Sequence, residues 1–493
     1  PGRREPWPHQ LDALTAALPQ PGYMLPIPMG HGKSACAIAV ADATDAMRVL
    51  VLCPKSVCGI WPAQVTDHSN RTWRTWAGQV AGARGPLKDP SVKRRAEQLA
   101  DEITAAARLR RPLLVVVNFE AAASGLMADA LHRAHWDLVI IDESHRLKAP
   151  SGKQSKYVGK LCLRVRRHGG RILALTGTPM PHSALDLWGQ MRALDEHALG
   201  TSYVAFRARY GAPKIQFRYA DGTPKYLTTP NGQVIYDGVR DDRADELMAR
   251  VAHLMLPVDA DALDKRLGLT DPVDVYRTAP LDPATRRAYD ALEADLIARV
   301  GDGYVTAANA MVLVLRLAQA ASGYAVDAET GDHIALSDTP EKARLLADVL
   351  EDLPLREPVV VFARFHADLD AIRKACERSG RRYGELSGRR RDGLTDRSTM
   401  SGDIDVLGAQ LKSGGVGVDF TRAKYCIYYS LDFNLADYLQ SRKRLHRPGQ
   451  DGQVTYIHLL AEATVDQTIY SALSRREEIN EAVMRRLLTR STP

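Results

Sequence analysis

The first half of the chain is punctuated by short apolar runs, each of which stops at a polar signature. Val49-Leu50-Val51-Leu52 stops at Cys53-Pro54, and Leu113-Leu114-Val115-Val116-Val117 at Asn118. Leu138-Val139-Ile140-Ile141 stops at Asp142, and Ile172-Leu173-Ala174-Leu175 at Thr176-Gly177. Each run has the length and β-branched content of a strand buried on both faces. Helix-compatible stretches such as Val92 to Arg108 lie between them. Strand alternating with helix predicts a parallel sheet covered on both faces. In such sheets ligands bind beyond the carboxyl ends of the strands, where these polar signatures fall.

The rhythm breaks in the middle and then resumes. From Gly211 to Asp242 the chain is rich in Gly, Pro, Tyr and Thr, with Asn231-Gly232 at its centre, and reads as a hairpin or irregular insert. Ala244 to Leu256 is helix-compatible, and Asp282 to Ala321 offers two longer amphipathic helices. Val359-Val360-Val361-Phe362, Cys426-Ile427-Tyr428-Tyr429 and Val454-Thr455-Tyr456-Ile457 are further strand candidates. Helices are expected over Ala367 to Ser379 and Thr464 to Leu488. A length of 493 residues exceeds one ordinary core. The expected class is therefore α/β, with two similar lobes joined by a helical middle.

A hydrophobic content of 45% and a charged content of 25% exclude a disordered chain. A net charge of +7 permits a nucleic-acid partner without showing one. The clusters Arg164-Val165-Arg166-Arg167-His168 and Arg389-Arg390-Arg391 read equally well as phosphate contacts or as solvated helix ends. None of the six cysteines forms a Cys-x-x-Cys pair, and His132 and His135 lack further ligands nearby, so free thiols in a reducing compartment are expected rather than a zinc site. No apolar run approaches the roughly 20 residues of a membrane span, and no signal peptide is evident. A cytoplasmic protein is expected, its arginine-rich and alanine-rich composition hinting at a GC-rich genome. The chain opens on Pro1 without an initiator Met, as a trimmed N terminus would.

Four segments carry chemistry. In Gly30-His31-Gly32-Lys33-Ser34 the glycines let backbone N–H groups approach a phosphate, Lys33 reaches its outer oxygens and Ser34 offers a hydroxyl to Mg²⁺. The competing reading is a glycine turn before an alanine-rich helix; a full phosphate-loop pattern also wants Gly where Ile27 stands. Asp142-Glu143-Ser144-His145 ends a buried strand, so its acids are expected exposed at the sheet's carboxyl edge. There Asp142 can hold Mg²⁺ and Glu143 can deprotonate a water; alternatively the pair caps the next helix. Thr176-Gly177-Thr178-Pro179 is a nucleotide or phosphate-backbone sensor, or a simple strand-to-turn cap. In Gln440 to Gln450, Arg444 and Arg447 are three apart on an expected helix with Gln440 one turn earlier, a face suited to a γ-phosphate or to plain solvent.

Assembled in order, these segments resemble the Snf2 family of superfamily 2 ATPases, from about Gln10 to about Tyr470. Gln10 after Trp7-Pro8-His9 resembles the adenine-reading glutamine, and Met29 to Ser34 the phosphate loop. Cys53-Pro54-Lys55-Ser56 with Trp61 resembles motif Ia, and Asp142 to Lys148 the DEAH-type box with its extension. Leu175 to Pro179 is similar to motif III, continued through Leu185 to Leu194. Val359 to Phe365 resembles motif IV, Lys412 to Asp419 motif V, and Gln440 to Gln450 motif VI. The chain departs from the family at several positions. Ile27 and Pro28 replace an acidic pair, and Ser34 and Ser144 replace Thr and Ala. Asp419 replaces Asn, Phe433 replaces Trp, and Lys443 replaces Gly. His253 to Leu263 lacks an Arg-Arg pair.

The resemblance implies two tandem RecA-like lobes: residues 1–202, an insert and lobe connection over 203–280, and 281–493 with C-terminal helices. It implies ATP and Mg²⁺ bound through Gln10, Gly30, His31, Gly32, Lys33, Ser34, Gly417 and Asp419, with Ser34 and Asp142 on the metal. Catalysis falls to Lys33, Asp142, Glu143, Gln440, Arg444 and Arg447. Duplex DNA would be held through its backbone by Lys55, Ser56, Thr178 and Lys412, and its translocation without strand separation is the expected activity. The insert at 211–242, with Lys214, Arg218, Lys225, Tyr219, Tyr226 and Tyr236, is expected either to contact DNA or a protein partner or to be an inert hairpin. A bacterial or phage-encoded, nucleoid-associated protein is the expected setting. Two other activities remain open: a strand-separating superfamily 2 helicase on DNA or RNA, and a DNA-binding scaffold that does not hydrolyse ATP.

Overall fold

The computed structural model describes residues 5–77, 92–181, 183–218, 221–228, 232, 234–301, 307–327, 330, 332–395, 399–411 and 418–475. The chain forms two compact units, a first running to Leu263 and a second from Asp264 onward, with Thr228–Val234 counted to the second.

The first unit is built on strands β1 (Gly22–Leu25), β2 (Arg48–Cys53), β3 (Arg74–Ala77), β4 (Leu113–Asn118), β5 (Leu138–Asp142) and β6 (Arg171–Leu175). They form one parallel sheet in the order β1-β6-β5-β2-β4-β3. Every residue of β4 and β5 is buried, which is why these strands read as unbroken apolar runs. Helices Lys33–Ala43, Val92–Leu109 and Lys153–Arg167 connect the strands. The open edge of β1 is covered: Leu256 N donates to Met24 O at 3.0 Å, and Met255 bridges Met24 in parallel. The insert carries β7 (Gly211–Pro213), β8 (Ile215–Arg218), β9 (Pro224–Tyr226) and β10 (Tyr236–Val239). β7 pairs antiparallel with β10 and β8 with β9, so the expected hairpin character is present; Tyr219 and Asn231 lie outside the described residues.

The second unit contains β11 (Val273–Ala279), the small antiparallel pair β12 (Tyr324–Val326) and β13 (His333–Ala335), β14 (Val359–Ala363), β15 (Tyr383–Leu386), β16 (Val406–Gln410), β17 (Tyr425–Tyr428) and β18 (Thr455–Ala461). Its main sheet is parallel, in the order β11-β18-β17-β14-β16-β15. Alternate residues of β14 serve opposite faces: Val360 and Phe362 join one apolar cluster, and Val359, Val361 and Ala363 the other. β11 falls within the 203–280 stretch assigned from sequence to the insert and connection, yet it pairs along its whole length with β18. Two long helices, Pro283–Gly301 and Ala307–Ala321, precede the hairpin as expected. The helix at 465–475 matches the start of the expected C-terminal helices, and residues 476–488 lie outside the described residues. The fold is thus α/β with two six-stranded parallel sheets.

Candidate functional site

Adjacency of β1, β6 and β5 brings three loops together at one edge of the first sheet, since Leu25 pairs with Leu175 and Leu175 with Asp142. The loop after β1 turns through positive φ at Gly30 (84°) and Gly32 (79°), and Gly32 caps the helix Lys33–Ala43. A Cβ on Gly32 would sit 2.0 Å from Gln10 Nε2, so the loop has room for the Gln10 amide only because the residue is glycine. Gln10 Nε2 and His9 Nε2 lie 3.4 and 2.9 Å from His31 O, tying the segment before β1 to the loop's backbone. His31 is fully buried with Nδ1 3.0 Å from Met29 O. Lys33 is buried, and its ammonium donates to Ile27 O at 3.0 Å. The Cβ position of Gly177 is 3.5 Å from Lys33 Nζ, so the loop after β6 borders the lysine. Ser34 is half-buried in the first turn of the helix.

The acid pair is not exposed as expected. Asp142 and Glu143 are 7% and 9% accessible, and the buried indole of Trp61 donates to Asp142 Oδ2 at 3.3 Å. Burial, and then the charge of Glu143, push the Asp142 carboxyl up to about 7, against the pull of Lys33 and the Trp61 hydrogen bond. The pair does not cap a helix through its side chains either. Glu143 takes φ 55° and ψ 52°, and its side chain makes no cap hydrogen bond to the 3-10 turn Ser144–Lys148. Such left-handed backbone costs a non-glycine residue on the order of 1 kcal/mol and clusters at functional sites. The bend aims Glu143 at His145, whose Nδ1 lies 3.3 Å from Glu143 Oε2 and 3.2 Å from Thr176 Oγ1. Thr176 also accepts from Thr178 N at 3.1 Å, so the strand-to-turn cap exists and is wired to the acid pair. Ser144 Oγ donates to Gln190 Oε1 at 2.8 Å, and Gln190 Nε2 donates to Pro179 O at 2.6 Å, joining the same two loops.

In the second unit the arginines are placed differently from expectation. The helix Leu435–Arg442 carries half-buried Gln440 and ends with Lys443 as its C-cap. Arg444 and Arg447 lie in the turns beyond it, where Arg444 N and Leu445 N bond back to Ser441 O and Arg442 O. They therefore share no helix face. Arg444 is buried and donates from Nη1 to Val418 O at 3.1 Å, pinning the segment that leads to Asp419. Arg447 is half-buried with Nη1 3.7 Å from Asp419 Oδ2, and Asp419 Oδ1 accepts from Thr421 N and Oγ1 at 2.9 and 2.7 Å. The preceding helix is clamped: Arg442 pairs with Asp274 on β11 at 2.5 and 2.7 Å and lies 4.0 Å over Tyr456. Lys443 has a partner of its own, Asp264 Oδ2 at 2.6 Å, which His446 also faces at 3.5 Å.

The structure thus gathers Gln10, Gly30, His31, Gly32, Lys33, Asp142, Glu143 and Thr178 at one sheet edge, and Asp419, Arg444 and Arg447 near one another in the second unit, with Gln440 on the helix that precedes the arginines. Lys55 is exposed on the 3-10 turn Lys55–Val57 after β2, where only the backbone of Ser56 is described. Gly417 and Lys412 lie outside the described residues. The basic clusters are largely occupied: Arg164 bonds Ala134 O, Arg389 pairs with Glu385 and Asp370, and Arg390 with Asp392. Sequence reasoning gave no individual role to His145 or Gln190, which are marked only by lying inside motif-like segments, and it read the Thr176 hydroxyl as a nucleotide or phosphate-backbone sensor rather than as a partner of His145. Among the described residues no group of three or more His, Cys, Asp or Glu forms a metal site, and no helix is long and apolar enough to cross a membrane.

Residues 19–322 match the SNF2-related domain, and residues 341–449 the helicase conserved C-terminal domain. The chain belongs to the SNF2-related family. Within it, an SWI/SNF-related matrix-associated actin-dependent regulator of chromatin subfamily A-like protein 1 homolog from Caenorhabditis elegans is 24% identical, over 96% of this chain and 61% of its own length. An uncharacterized ATP-dependent helicase from Mycoplasma pneumoniae is also 24% identical, over 93% of this chain and 40% of its own length. This SNF2-related chain therefore spans less than two thirds of either relative. The SWI2/SNF2 ATPase core of Sulfolobus solfataricus, solved in complex with double-stranded DNA, is 18% identical and aligns over 98% of this chain and 93% of its own, at a TM-score of 0.39.

Proposed function

We propose that this SNF2-related chain hydrolyses ATP to translocate on duplex DNA, through its backbone and without strand separation. The observation that carries the reading is the loop edge of the first sheet, where a glycine phosphate loop with a buried lysine borders two desolvated carboxylates. The loop suits a triphosphate: Gly32 leaves backbone N–H groups accessible at a helix N-terminus, and Lys33, whose ammonium donates to Ile27 O, stands on that loop to meet phosphate oxygen. The carboxylate pair suits a divalent cation, whose charge would offset the burial and the Glu143 repulsion that push the Asp142 carboxyl up. Asp142 and the Ser34 hydroxyl are hard oxygen ligands of the kind Mg²⁺ takes, and Mg²⁺ when bound supplies charge neutralisation at the phosphates.

In this reading Glu143 takes the proton of the attacking water. His145 holds its carboxylate and is itself bonded to Thr176, so the state of the loop after β6 is passed to the base through His145. Arg447 supplies charge to the transition state once it leaves Asp419, and buried Arg444 positions the segment that carries Asp419. Lys55 and Thr178 touch the DNA backbone, giving sequence-tolerant, salt-sensitive binding. The names of the relatives, a chromatin regulator and a helicase, support a nucleic-acid substrate.

The test is steady-state ATP hydrolysis without nucleic acid and with duplex DNA, single-stranded DNA or RNA, using Glu143→Gln as the blank. Stimulation by duplex, together with displacement of a triplex-forming strand and no release from a fork, is the expected result. Stimulation confined to single strands or RNA would replace this reading with the helicase; no hydrolysis under any condition would replace it with the scaffold.

A further inference from the structure

Two thiols meet on the turn that carries Lys55. Cys53 ends β2, and Cys58 comes directly after the single 3-10 turn Lys55–Val57. Their Sγ atoms are 3.5 Å apart, and the Cys58 thiol is 3.7 Å from the Pro54 carbonyl. Both are buried and neither is in a disulfide. Among the described residues no other two cysteine sulfurs are in contact; Cys36, Cys162, Cys376 and Cys426 are buried singly. A disulfide needs sulfurs about 2.05 Å apart and Cβ atoms about 3.8 Å apart, so closing the pair asks for roughly 1.5 Å of sulfur movement. One short turn separates the pair, and its Lys55 is exposed, so it can supply that movement. Either sulfur can donate in this contact, and the shared hydrogen bond pulls the Cys58 thiol down, against burial, and together with burial pushes Cys53 up.

We propose that Cys53 and Cys58 form a redox-active dithiol, which hydrogen peroxide closes to an intramolecular disulfide that locks the Pro54–Val57 turn. The Cys58 thiolate attacks one peroxide oxygen, the O–O bond breaks and the leaving hydroxide takes up a proton to depart as water, leaving a sulfenic acid on Cys58. The Cys53 sulfur then attacks the Cys58 sulfur, the S–O bond breaks, and the hydroxyl leaves with the Cys53 proton as a second water. Two thiols and one peroxide give one disulfide and two waters, the sulfurs together losing the two electrons that the peroxide gains. Cys58 is also three residues before Trp61, whose indole holds Asp142, so the bridge restrains both the Lys55 turn and the start of the helix Trp61–His68. The bond itself is independent of the proposed function; its effect on DNA response rests on the reading of Lys55 as a backbone contact.

The experiment treats the folded full chain and a Cys58→Ser variant with graded hydrogen peroxide, alkylates the remaining thiols after unfolding, and maps the peptides by mass. The expected result is joint loss of free Cys53 and Cys58 into one cross-linked peptide pair, reversed by dithiothreitol. The other four thiols stay alkylatable and Cys58→Ser forms no bridge. Cys53 and Cys58 no more reactive than the other four, or oxidised separately to sulfinic acids, overturns the proposal. On the same samples, duplex-stimulated hydrolysis is expected to fall about fivefold or more in the bridged protein, within the usual span of coupling between sites, and to recover on reduction. A bridged protein with an undiminished duplex response overturns the coupling alone. The duplex response of the reduced protein reads the proposed function separately.

Discussion

The two sheets of this chain are the same drawing with different ends. Counted from its own first strand, each runs first, sixth, fifth, second, fourth, third, all parallel. The turn leaving the first strand is where they part. In the first unit a glycine loop with two positive φ values opens onto the N-terminus of the helix Lys33–Ala43. In the second, Asp282 sits before the helix Pro283–Gly301, and its Oδ1 accepts from Ala284 N and Thr285 N at 3.1 and 3.0 Å while Oδ2 accepts from Thr285 Oγ1 at 2.6 Å. The helix end that could take an anion in one unit is already stoppered by a carboxylate in the other. After the fifth strand the contrast repeats: Asp142-Glu143 in the first unit, Tyr429-Ser430 in the second, with Ser430 Oγ donating to Asp368. A repeated scaffold therefore does not repeat a site, and the proposed nucleotide chemistry rests on a few residues past the strand ends.

That contrast can be broken by experiment. Arg447→Ala is expected to lower turnover on the order of 10³-fold or more, with nucleotide binding largely kept. Loss of binding instead, measured by fluorescent-nucleotide titration, would give the second unit a ground-state role. Glu143→Gln is expected to lower turnover by about 10³-fold, again with nucleotide still bound; residual turnover within tenfold would move the base elsewhere. Gly22→Ala and Gly408→Ala compare the packing of the two sheets. A Cβ at Gly22 meets Leu194 O at 2.4 Å, which is backbone, whereas at Gly408 it meets the Tyr383 hydroxyl at the same distance, and that ring can turn. Urea denaturation should show a loss of about 3 kcal/mol for the first and about 1 kcal/mol for the second. Asp282→Ala should cost about 1 kcal/mol as a lost cap, without creating a phosphate site, and phosphate protection of that variant would blur the distinction between the units.

The smallest expected effect is a pH slope. Burial pushes the Asp368 carboxyl up to about 6, although the Ser430 hydroxyl bonds to it. A carboxyl raised on folding gives stability that is complete below its unfolded pKa, near 4, and is lost as pH rises through about 6. Asp368→Asn should flatten the stability profile of the second unit across that window, and an unchanged slope in thermal melts from pH 4 to 7 would count against it.

The central strands were legible because both their faces are covered, and an apolar run is what that environment demands. The edges were not. β11 exposes five of its seven residues and β3 buries none of its four fully, so neither offers a run to see. β16 was hidden by Gly408 in its middle, against which the Tyr383 ring packs. At the site, motif order singled out the glycine loop and the acid pair, yet not the burial of the acids or the Trp61 that meets Asp142 from 81 residues earlier. Placing Arg444 and Arg447 on a helix failed because three-residue spacing says nothing about where a helix ends. Lys443 looked like a departure without a cause, and its partner Asp264 is 179 residues away.

The bond from Leu256 N to Met24 O has a mechanical meaning. The Met255 segment runs parallel to β1, so a pull on the chain beyond Leu256 loads that junction in shear, along the strand, rather than peeling it apart. β1 is the strand that ends at the phosphate loop. Tension carried by the chain as it leaves the first sheet is delivered in line, through the bridge at Met24, toward the loop that holds Lys33.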